Sequence, residues 1–325
     1  MWKKGSKVII VTGGEPSGIG SEIIVKTLNK FNNPVRIIVI GEGKAFLPFT
    51  NKINFIEDIN EYKEDFINLI DLKLCSNISF GKPSPETSFS SIKALELAVS
   101  FIRKNETAAL VTAPIYKAGI KNIKGYENFS GHTEYLAEAF GSDVLMMFYG
   151  KKIKVSTLTT HIPLRMVPYV ISAEDIEKKV IIAYKSLKRF FKISKPRIAV
   201  TGLNPHSGEE GKIGDEEIKI IIPALEKLRK KRVPVVGPLS ADTAFHMALK
   251  GDYSLIFGLY HDQVLGFFKA LYFHTGVNVT LGLPFIRTSP DHGTAFQIAG
   301  KGIANEKSFE NALALAVNLL YQREV

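Results

Sequence analysis

Three of the chain's seven histidines share one kind of address, one to three residues beyond an apolar, strand-like run. His161 follows Lys154–Thr160, His206 follows Ile198–Pro205 and His261 follows Leu255–Tyr260. Ligands of open α/β sheets bind in the crevice beyond the carboxyl ends of the strands, and three neutral imidazoles converging there would make a divalent-metal site with open positions. Polar residues stand beside each histidine: Thr159 and Thr160, then Asn204 and Ser207, then Asp262 and Gln263. Metal-bound imidazoles need partners of that kind for their second nitrogen. A histidine after a strand is also a common capping or surface residue, so the expectation rests on the shared address rather than on any one of the three.

Other residues have the chemistry of an anion site. Ser130-Gly131-His132-Thr133-Glu134 opens a helix whose first-turn amides and hydroxyl could hold a phosphate, with His132 as a further donor; an ordinary helix cap would use the same residues. Lys269 and Asn278 follow downstream, and Arg287 lies inside the apolar segment Leu283–Ser289, where a guanidinium is costly without an anionic partner. That partner is either a substrate phosphate or carboxylate, or a carboxylate of the protein itself. Thr12–Glu22 is a glycine-rich turn into a helix, suited to an anion or simply to a tight turn. Its spacing is not G-x-G-x-x-G, and it has no P-loop lysine. Asp291–Asn305, rich in glycine and alanine, is too long for a simple turn; it either admits a flat ligand closely or forms a flexible surface loop.

The elements that must position these residues alternate along the chain. Strand-like runs at Lys7–Thr12, Val35–Ile40, Ala109–Thr112, Val144–Phe148, Ile153–Leu158, Arg197–Gly202, Val233–Val236, Ser254–Leu259 and Val277–Leu281 are separated by helical spacing. The helices fall at Ser21–Asn29, Glu86–Arg103, Thr133–Ala139, Ala173–Lys192, Asp215–Lys230, Ala241–Leu249 and Glu306–Tyr321, with a capping start at Ser172. Such alternation predicts an α/β fold, a parallel sheet with helices on both faces. At 325 residues the chain can form two domains, and the lack of a linker or repeat points to interleaved ones.

Composition excludes other classes. No apolar stretch approaches the roughly 20 residues of a membrane helix, and the basic start Met1–Lys4, followed by Val8–Val11, has too short an apolar segment for a signal peptide and reads as the approach to a first strand. A lone cysteine, Cys75, rules out an internal disulfide and suits a reducing cytoplasm. The net charge of +10 is spread along the chain instead of forming a basic patch, which speaks against nucleic acid and for anionic substrates.

Six strings, in order, carry a family resemblance: Thr112-Ala113-Pro114-Ile115-Tyr116-Lys117, Gly131-His132-Thr133-Glu134, Thr160-His161-Ile162-Pro163-Leu164, Gly202-Leu203-Asn204-Pro205-His206-Ser207-Gly208-Glu209, Tyr260-His261-Asp262-Gln263, and Asn278 through Thr288. Together they closely resemble the 4-hydroxythreonine-4-phosphate dehydrogenase family of vitamin B6 biosynthesis over nearly the whole chain. The resemblance implies an isocitrate/isopropylmalate-dehydrogenase-like fold, two interleaved α/β/α domains with an interdomain cleft, divided here as 1–128 with 295–325 and 129–294, the second carrying most metal and phosphate ligands. It implies a homodimer with a shared active site, NAD or NADP as cofactor, and one divalent ion per site, zinc, magnesium or cobalt, held by His161, His206 and His261. His132, Thr133, Lys269, Asn278 and Arg287 are implied to bind the phosphorylated substrate, and the loop with His292, Gly293, Thr294, Ala295 and Asn305 the adenosine of the cofactor. Lys117, Asp242 and Asp262 stand open as candidates for the general base. The first loop reads Gly13-Gly14-Glu15-Pro16-Ser17-Gly18 where the family usually has Gly-Asp-Pro-Ala-Gly, and Val264 stands where glycine is usual. The implied reaction is NAD-dependent oxidation of 4-phosphooxy-L-threonine. A dehydrogenase of 4-phospho-D-threonate or a related phosphorylated four-carbon acid would use the same anchors, and an acyltransferase of the same superfamily fold would need neither metal nor NAD.

Overall fold

Uninterrupted β-branched and aliphatic runs make strands buried on both faces, as helices on both sides of a parallel sheet require. Val8–Thr12 and Ala108–Thr112 are buried at every position. The computed structural model describes residues 7–31, 35–104 and 108–321; the basic start at Met1–Lys4 lies outside them. The strands are β1 (Val8–Thr12), β2 (Arg36–Gly41), β3 (Ile53–Phe55), β4 (Ile67–Asp71), β5 (Ala108–Thr112), β6 (Leu145–Tyr149), β7 (Lys154–Thr157), β8 (Ile198–Thr201), β9 (Val235–Leu239), β10 (Leu255–Gly258), β11 (Val277–Leu281) and β12 (Ile286–Pro290). The helices that matter here are α1 (Gly20–Leu28), α2 (Pro85–Lys104), α3 (Lys117–Lys121), α4 (His132–Phe140), α5 (Ala173–Arg189), α6 (Ile222–Lys230), α7 (Ala241–Leu249), α8 (His261–Tyr272) and α9 (Lys307–Tyr321).

Two units emerge, one of the described residues up to Ser142 together with those from Leu283 onward, the other Asp143–Gly282. The joins therefore fall later and earlier than the expected 128/129 and 294/295. The reason is β12: it pairs in parallel with β5, Ile286 opposite Ala109 and Arg287 opposite Leu110, which ties it and the chain after it to the first unit. The start of α4 lies in that unit too, so His132, Thr133 and Arg287 sit there and not in the second unit.

In the first unit the strand order is β3-β4-β2-β1-β5-β12, parallel throughout. In α2 the buried residues Ile92, Leu95, Val99 and Ile102 recur at spacings of three and four and turn one stripe toward the core. In the second unit the order is β11-β6-β7-β10-β8-β9; β6 is antiparallel to both neighbours, and β7, β10, β8 and β9 run parallel. Val155, Ala199 and Ile256 pack there with Phe245, Val264 and Phe268 from α7 and α8. The usual glycine at 264 would leave a void in that cluster. At the start of α5 the expected cap is present, Ser172 Oγ accepting from Asp175 N at 3.0 Å.

Three strands escaped the sequence pattern. β3 and β4 are short and carry buried asparagines, Asn54 Nδ2 donating to Asn68 Oδ1 at 2.9 Å, so they lack an apolar run. β12 was legible only as an apolar segment because Arg287 and Thr288 interrupt it.

Candidate active site

The residues expected to bind an anion assemble in the first unit. Arg287 projects from β12 and is only 3% exposed. Its Nη2 donates to Thr112 Oγ1 at 2.6 Å, the hydroxyl at the carboxyl end of β5. Burial pulls the guanidinium pKa down to about 10, partly offset by the charge of Glu134; charge in this place is expensive and has a nearby carboxylate as compensation. His132 is the first residue of α4, preceded by Gly131 at φ 148°. Burial holds its imidazole well below the usual histidine range, and the cations Arg287 and Lys117 lower it further. It is therefore a neutral ring beside two cations at a helix start, an arrangement that favours a negative ligand. Thr133 occupies the next position of the helix, and Glu134 the one after.

Lys117 opens α3, six residues in sequence order from Thr112 counting both. A Cβ on Gly131 would stand 3.0 Å from Lys117 Nζ and Cε and 3.0 Å from Glu134 Oε2. A side chain there would push the flexible ends of both aside, and the φ of 148° itself favours glycine. Thr112, Lys117 and Glu134 thus join the expected His132 and Arg287. Glu134 had a place in one of the quoted strings but no role, and Thr112 likewise; the short motif named them without saying what they touch.

Lys269 and Asn278 belong to the second unit, on α8 and β11. The Lys269 ammonium lies 5.7 Å from the Phe273 ring centre. Asn278 is partly buried, and its Oδ1 has no hydrogen-bond partner among the described residues.

The three histidines have the address the sequence suggested. They follow β7, β8 and β10, and these are neighbours in the order β7-β10-β8, all parallel, so their carboxyl ends lie side by side. His261 begins α8, and its Nδ1 donates to Asp262 Oδ1 at 2.8 Å, leaving Nε2 for a ligand, the usual arrangement of a metal-binding histidine with a carboxylate behind it. His161 and His206 are exposed. His206 opens a run of positive φ, from 52° at His206 to 58° at Glu210. Among the described residues no three histidine, cysteine or acidic side chains are gathered to hold a metal. The donor set suits a divalent ion, while its coordination sphere is not drawn together.

Three of the six expected partners of these rings have other work. Thr159 Oγ1 donates to Leu259 O at 2.7 Å. Asn204 donates through Nδ2 to Glu216 and Glu217. Gln263 receives from Thr201 Oγ1 and Leu259 N and donates to Gly202 O, stitching the end of β8 to that of β10. Among the described residues, Asp262 alone of the six has a hydrogen bond to a histidine. The residue that sequence reasoning missed is Glu217: buried, it accepts from Leu203 N at 2.7 Å and Asn204 N at 2.8 Å, and so fixes the entry to the His206 loop. Of the remaining base candidates, Asp242 is exposed at the start of α7 and accepts from Thr243 N, and Asp262 is exposed and engaged with His261.

The glycine-rich first loop and the late loop pack on one another within the first unit. Ile19 N donates to Thr294 O at 3.1 Å, and a Cβ on Gly18 would stand 3.1 Å from the same oxygen. Ala295 adopts a left-handed φ of 46°, and the Phe296 ring meets Tyr116 edge-on. Gly293 has open space where a Cβ would stand. His292 Nδ1 donates to Gly293 O. Asn305 takes a structural part, its Oδ1 accepting from Lys307 N at the start of α9. Glu15, the altered residue of the first loop, is fully buried and accepts from Ser17 Oγ at 2.8 Å and Ser88 Oγ at 3.3 Å. Among the described residues no helix is long and apolar enough to cross a membrane.

Comparison with known proteins adds independent findings. A family model described as pyridoxal phosphate biosynthetic protein PdxA matches residues 33–316. A 4-hydroxythreonine-4-phosphate dehydrogenase of Sulfurihydrogenibium sp. (strain YO3AOP1) is 42% identical over 322 residues, 96% of this chain and 98% of its own. The protein of the same name from Aquifex aeolicus (strain VF5) is 43% identical, covering 97% of this chain and 99% of its own. The crystal structure of 4-hydroxythreonine-4-phosphate dehydrogenase from Klebsiella pneumoniae superposes with a TM-score of 0.88 at 36% identity, over 98% of this chain and 99% of that one.

Proposed function

The chain belongs to the PdxA family of pyridoxal phosphate biosynthetic proteins, and from that membership we propose that it oxidises 4-phosphooxy-L-threonine with NAD or NADP. The product, 2-amino-3-oxo-4-phosphooxybutanoate, is a β-keto acid that loses carbon dioxide to give 3-amino-2-oxopropyl phosphate. The observation that supports the reading is that the buried Arg287 charge acts on a neutral His132 at the start of α4, a combination that suits an anionic group such as phosphate.

His132, Thr133, Lys269, Asn278 and Arg287 bind the phosphorylated substrate in this reading. Arg287 offers a planar fork of donors to the phosphate oxygens, and the first-turn amides of α4 add theirs. Anchoring the phosphate fixes the distance to the carbon being oxidised, and positioning of that kind lowers the barrier. His292, Gly293, Thr294, Ala295 and Asn305 form the cofactor loop, with Gly293 leaving space for a flat ring system. His161, His206 and His261 would hold the divalent ion. A bound nicotinamide would supply the hydride acceptor for oxidation of the substrate's carbinol, and a bound divalent ion would supply Lewis acidity. The hydroxyl proton passes to a base among Lys117, Asp242 and Asp262. A homodimer and a cytoplasmic location complete the proposal, as the resemblance implies.

The deciding experiment offers the purified protein 4-phosphooxy-L-threonine, 4-phospho-D-threonate and the unphosphorylated amino acid, each with NAD and with NADP, and follows nicotinamide absorbance. Turnover of the first well above the others is the expected result. Turnover confined to the threonate, or none with either phosphorylated compound, would overturn the reading.

A further inference from the structure

We propose that Lys26, held by Glu22, is a latch that keeps the loop from Thr294 to Glu306 in its binding shape and so sets the affinity for the dinucleotide. The inference deepens the reading above and rests on it for the assignment of that loop to the cofactor.

α1 and its flanks meet this loop at both ends. Ahead of the helix, Ile19 N donates to Thr294 O at 3.1 Å, a tie made by backbone alone. Glu22, Lys26 and Lys30 then follow at four-residue spacing, which sets them in one row. Glu22 Oε1 accepts from Ala304 N at 2.7 Å. Lys26 Nζ donates to Gly302 O, Ala304 O and Glu22 Oε1, each at 2.8 Å. Lys30 Nζ donates to Glu306 Oε1 at 2.7 Å. The far end of the loop therefore hangs on side chains.

Burial decides which of these ties matters. Lys30 is exposed, and ion pairs in water contribute little. Glu22 is fully buried, and its Oε2 has no hydrogen-bond partner among the described residues. Such a carboxylate is costly without a cation, and Lys26 is the cation bonded to it. A lysine ammonium has three donors, and here all three are engaged. The carboxylate thus fixes the ammonium over two loop carbonyls. Apolar packing adds little at this end: Gly302 has a φ of 72° with open space at its Cβ point, Ile303 is exposed, and the buried Ala304 is small. With the latch closed, a dinucleotide meets an ordered loop; without it, binding must order that segment. Neither side chain touches the cofactor in this scheme, so Lys26 and Glu22 are positioning residues.

Hydrogen exchange read by mass spectrometry, and titration with NADH and NADPH followed by nicotinamide fluorescence, test the latch. Lys26→Met alone would leave a buried carboxylate unpaired and endanger the fold. The test variant is therefore Glu22→Gln with Lys26→Met, which removes both charges and keeps an acceptor for Ala304 N. In it the amides of 302–306 should exchange faster, while those of β1 and β5 keep the parent rates. Binding of the preferred dinucleotide should weaken about tenfold, the factor that ordering the backbone of one or two residues imposes. Glu22→Gln alone, which leaves Lys26 on both carbonyls, should weaken it by no more than about threefold. In steady-state assays the double variant should raise KM for the dinucleotide and leave kcat at saturation nearly as it was. Unchanged exchange in 302–306 overturns the proposal, and so does a Glu22→Gln variant as weak as the double one. Faster exchange in β1 and β5 as well would mark a general loss of stability and likewise overturns it. If exchange in 302–306 rises while dinucleotide binding holds, the proposal falls and Gly293→Leu separates the two readings. A raised KM for the dinucleotide in that variant keeps the loop as the cofactor site, and an unchanged one removes the cofactor assignment too.

Discussion

The proposed phosphate cluster of the first unit and the histidine trio of the second are built on opposite plans. Arg287 sits within a strand and is hydrogen-bonded to the end of the neighbouring strand, and His132 is set by the first turn of a helix. Ladder bonds and burial fix these positions before any ligand arrives. His161 and His206 stand exposed on segments beyond their strands, and only His261 is set by a helix and a carboxylate neighbour. Order in such loops comes from a few polar contacts, chiefly Glu217 and Gln263. The lesson is that an anion site can be preformed by secondary structure, while a site made of loop residues needs its ligand to complete it.

The contrast can be broken first at the trio. Removal of bound metal by a chelator, or His206→Ala, should lower turnover by a factor on the order of a thousand, since two ligands rarely hold a catalytic ion. Metal content per chain, measured alongside, should fall in parallel, and far-ultraviolet circular dichroism should not change. Full activity in metal-free protein would remove the trio from the mechanism.

Arg287→Ala is the matching test of the preformed cluster. It should cost about 3–5 kcal/mol of transition-state stabilisation, the usual result of deleting one partner of a buried charge pair. Thermal stability should change little, because the lost group is a desolvated cation whose pKa burial has already pulled down to about 10. A variant that melts several degrees lower and keeps its preference for the phosphorylated substrate would make Arg287 a structural residue.

A bulky side chain at Gly293 probes the loop that should bind cofactor. Its Cβ point meets nothing within 4 Å, so Gly293→Leu should be tolerated by the fold. It should raise KM for the dinucleotide by about tenfold and leave KM for the substrate nearly unchanged. An equal effect on both would place the cofactor elsewhere.

The smallest effect is a pH dependence of stability contributed by the buried cluster. His132 has its folded pKa depressed by burial and by Arg287 and Lys117. Above the unfolded value of about 6.5 neither state binds the proton and stability is at its full value. As pH falls from there toward the folded pKa, the unfolded chain takes up a proton that the native one refuses, so stability declines, by at most about 1.4 kcal/mol per pH unit for one group. Denaturant melts across that window should therefore show a shallower slope in His132→Gln than in the parent. Identical slopes would mean that His132 titrates normally.

Much of this molecule was determined by the sequence alone, and for a local reason. β1, β5 and β10 are unbroken apolar runs, and the α2 stripe and the Ser172 cap are set by neighbours a few residues away. The α/β class and the positions of the histidines past their strands follow directly. Six short strings also sufficed to identify the family. What escaped was whatever depends on partners distant in sequence. Arg287 interrupts an apolar pattern, so its strand was hidden; its pairing with β5, 175 residues away, decides both where the first unit ends and what the guanidinium touches. Asn204 and Gln263 look like partners for histidines because they lie beside them in the chain, yet their amides satisfy Glu216, Glu217 and the ends of β8 and β10. Sequence neighbours share an address, but a buried hydrogen bond goes to the group that packing brings within reach. Only the tertiary structure could bring the ends of Lys117 and Glu134 to the point where a Gly131 Cβ would stand, a space defined by the side chain that glycine does not have.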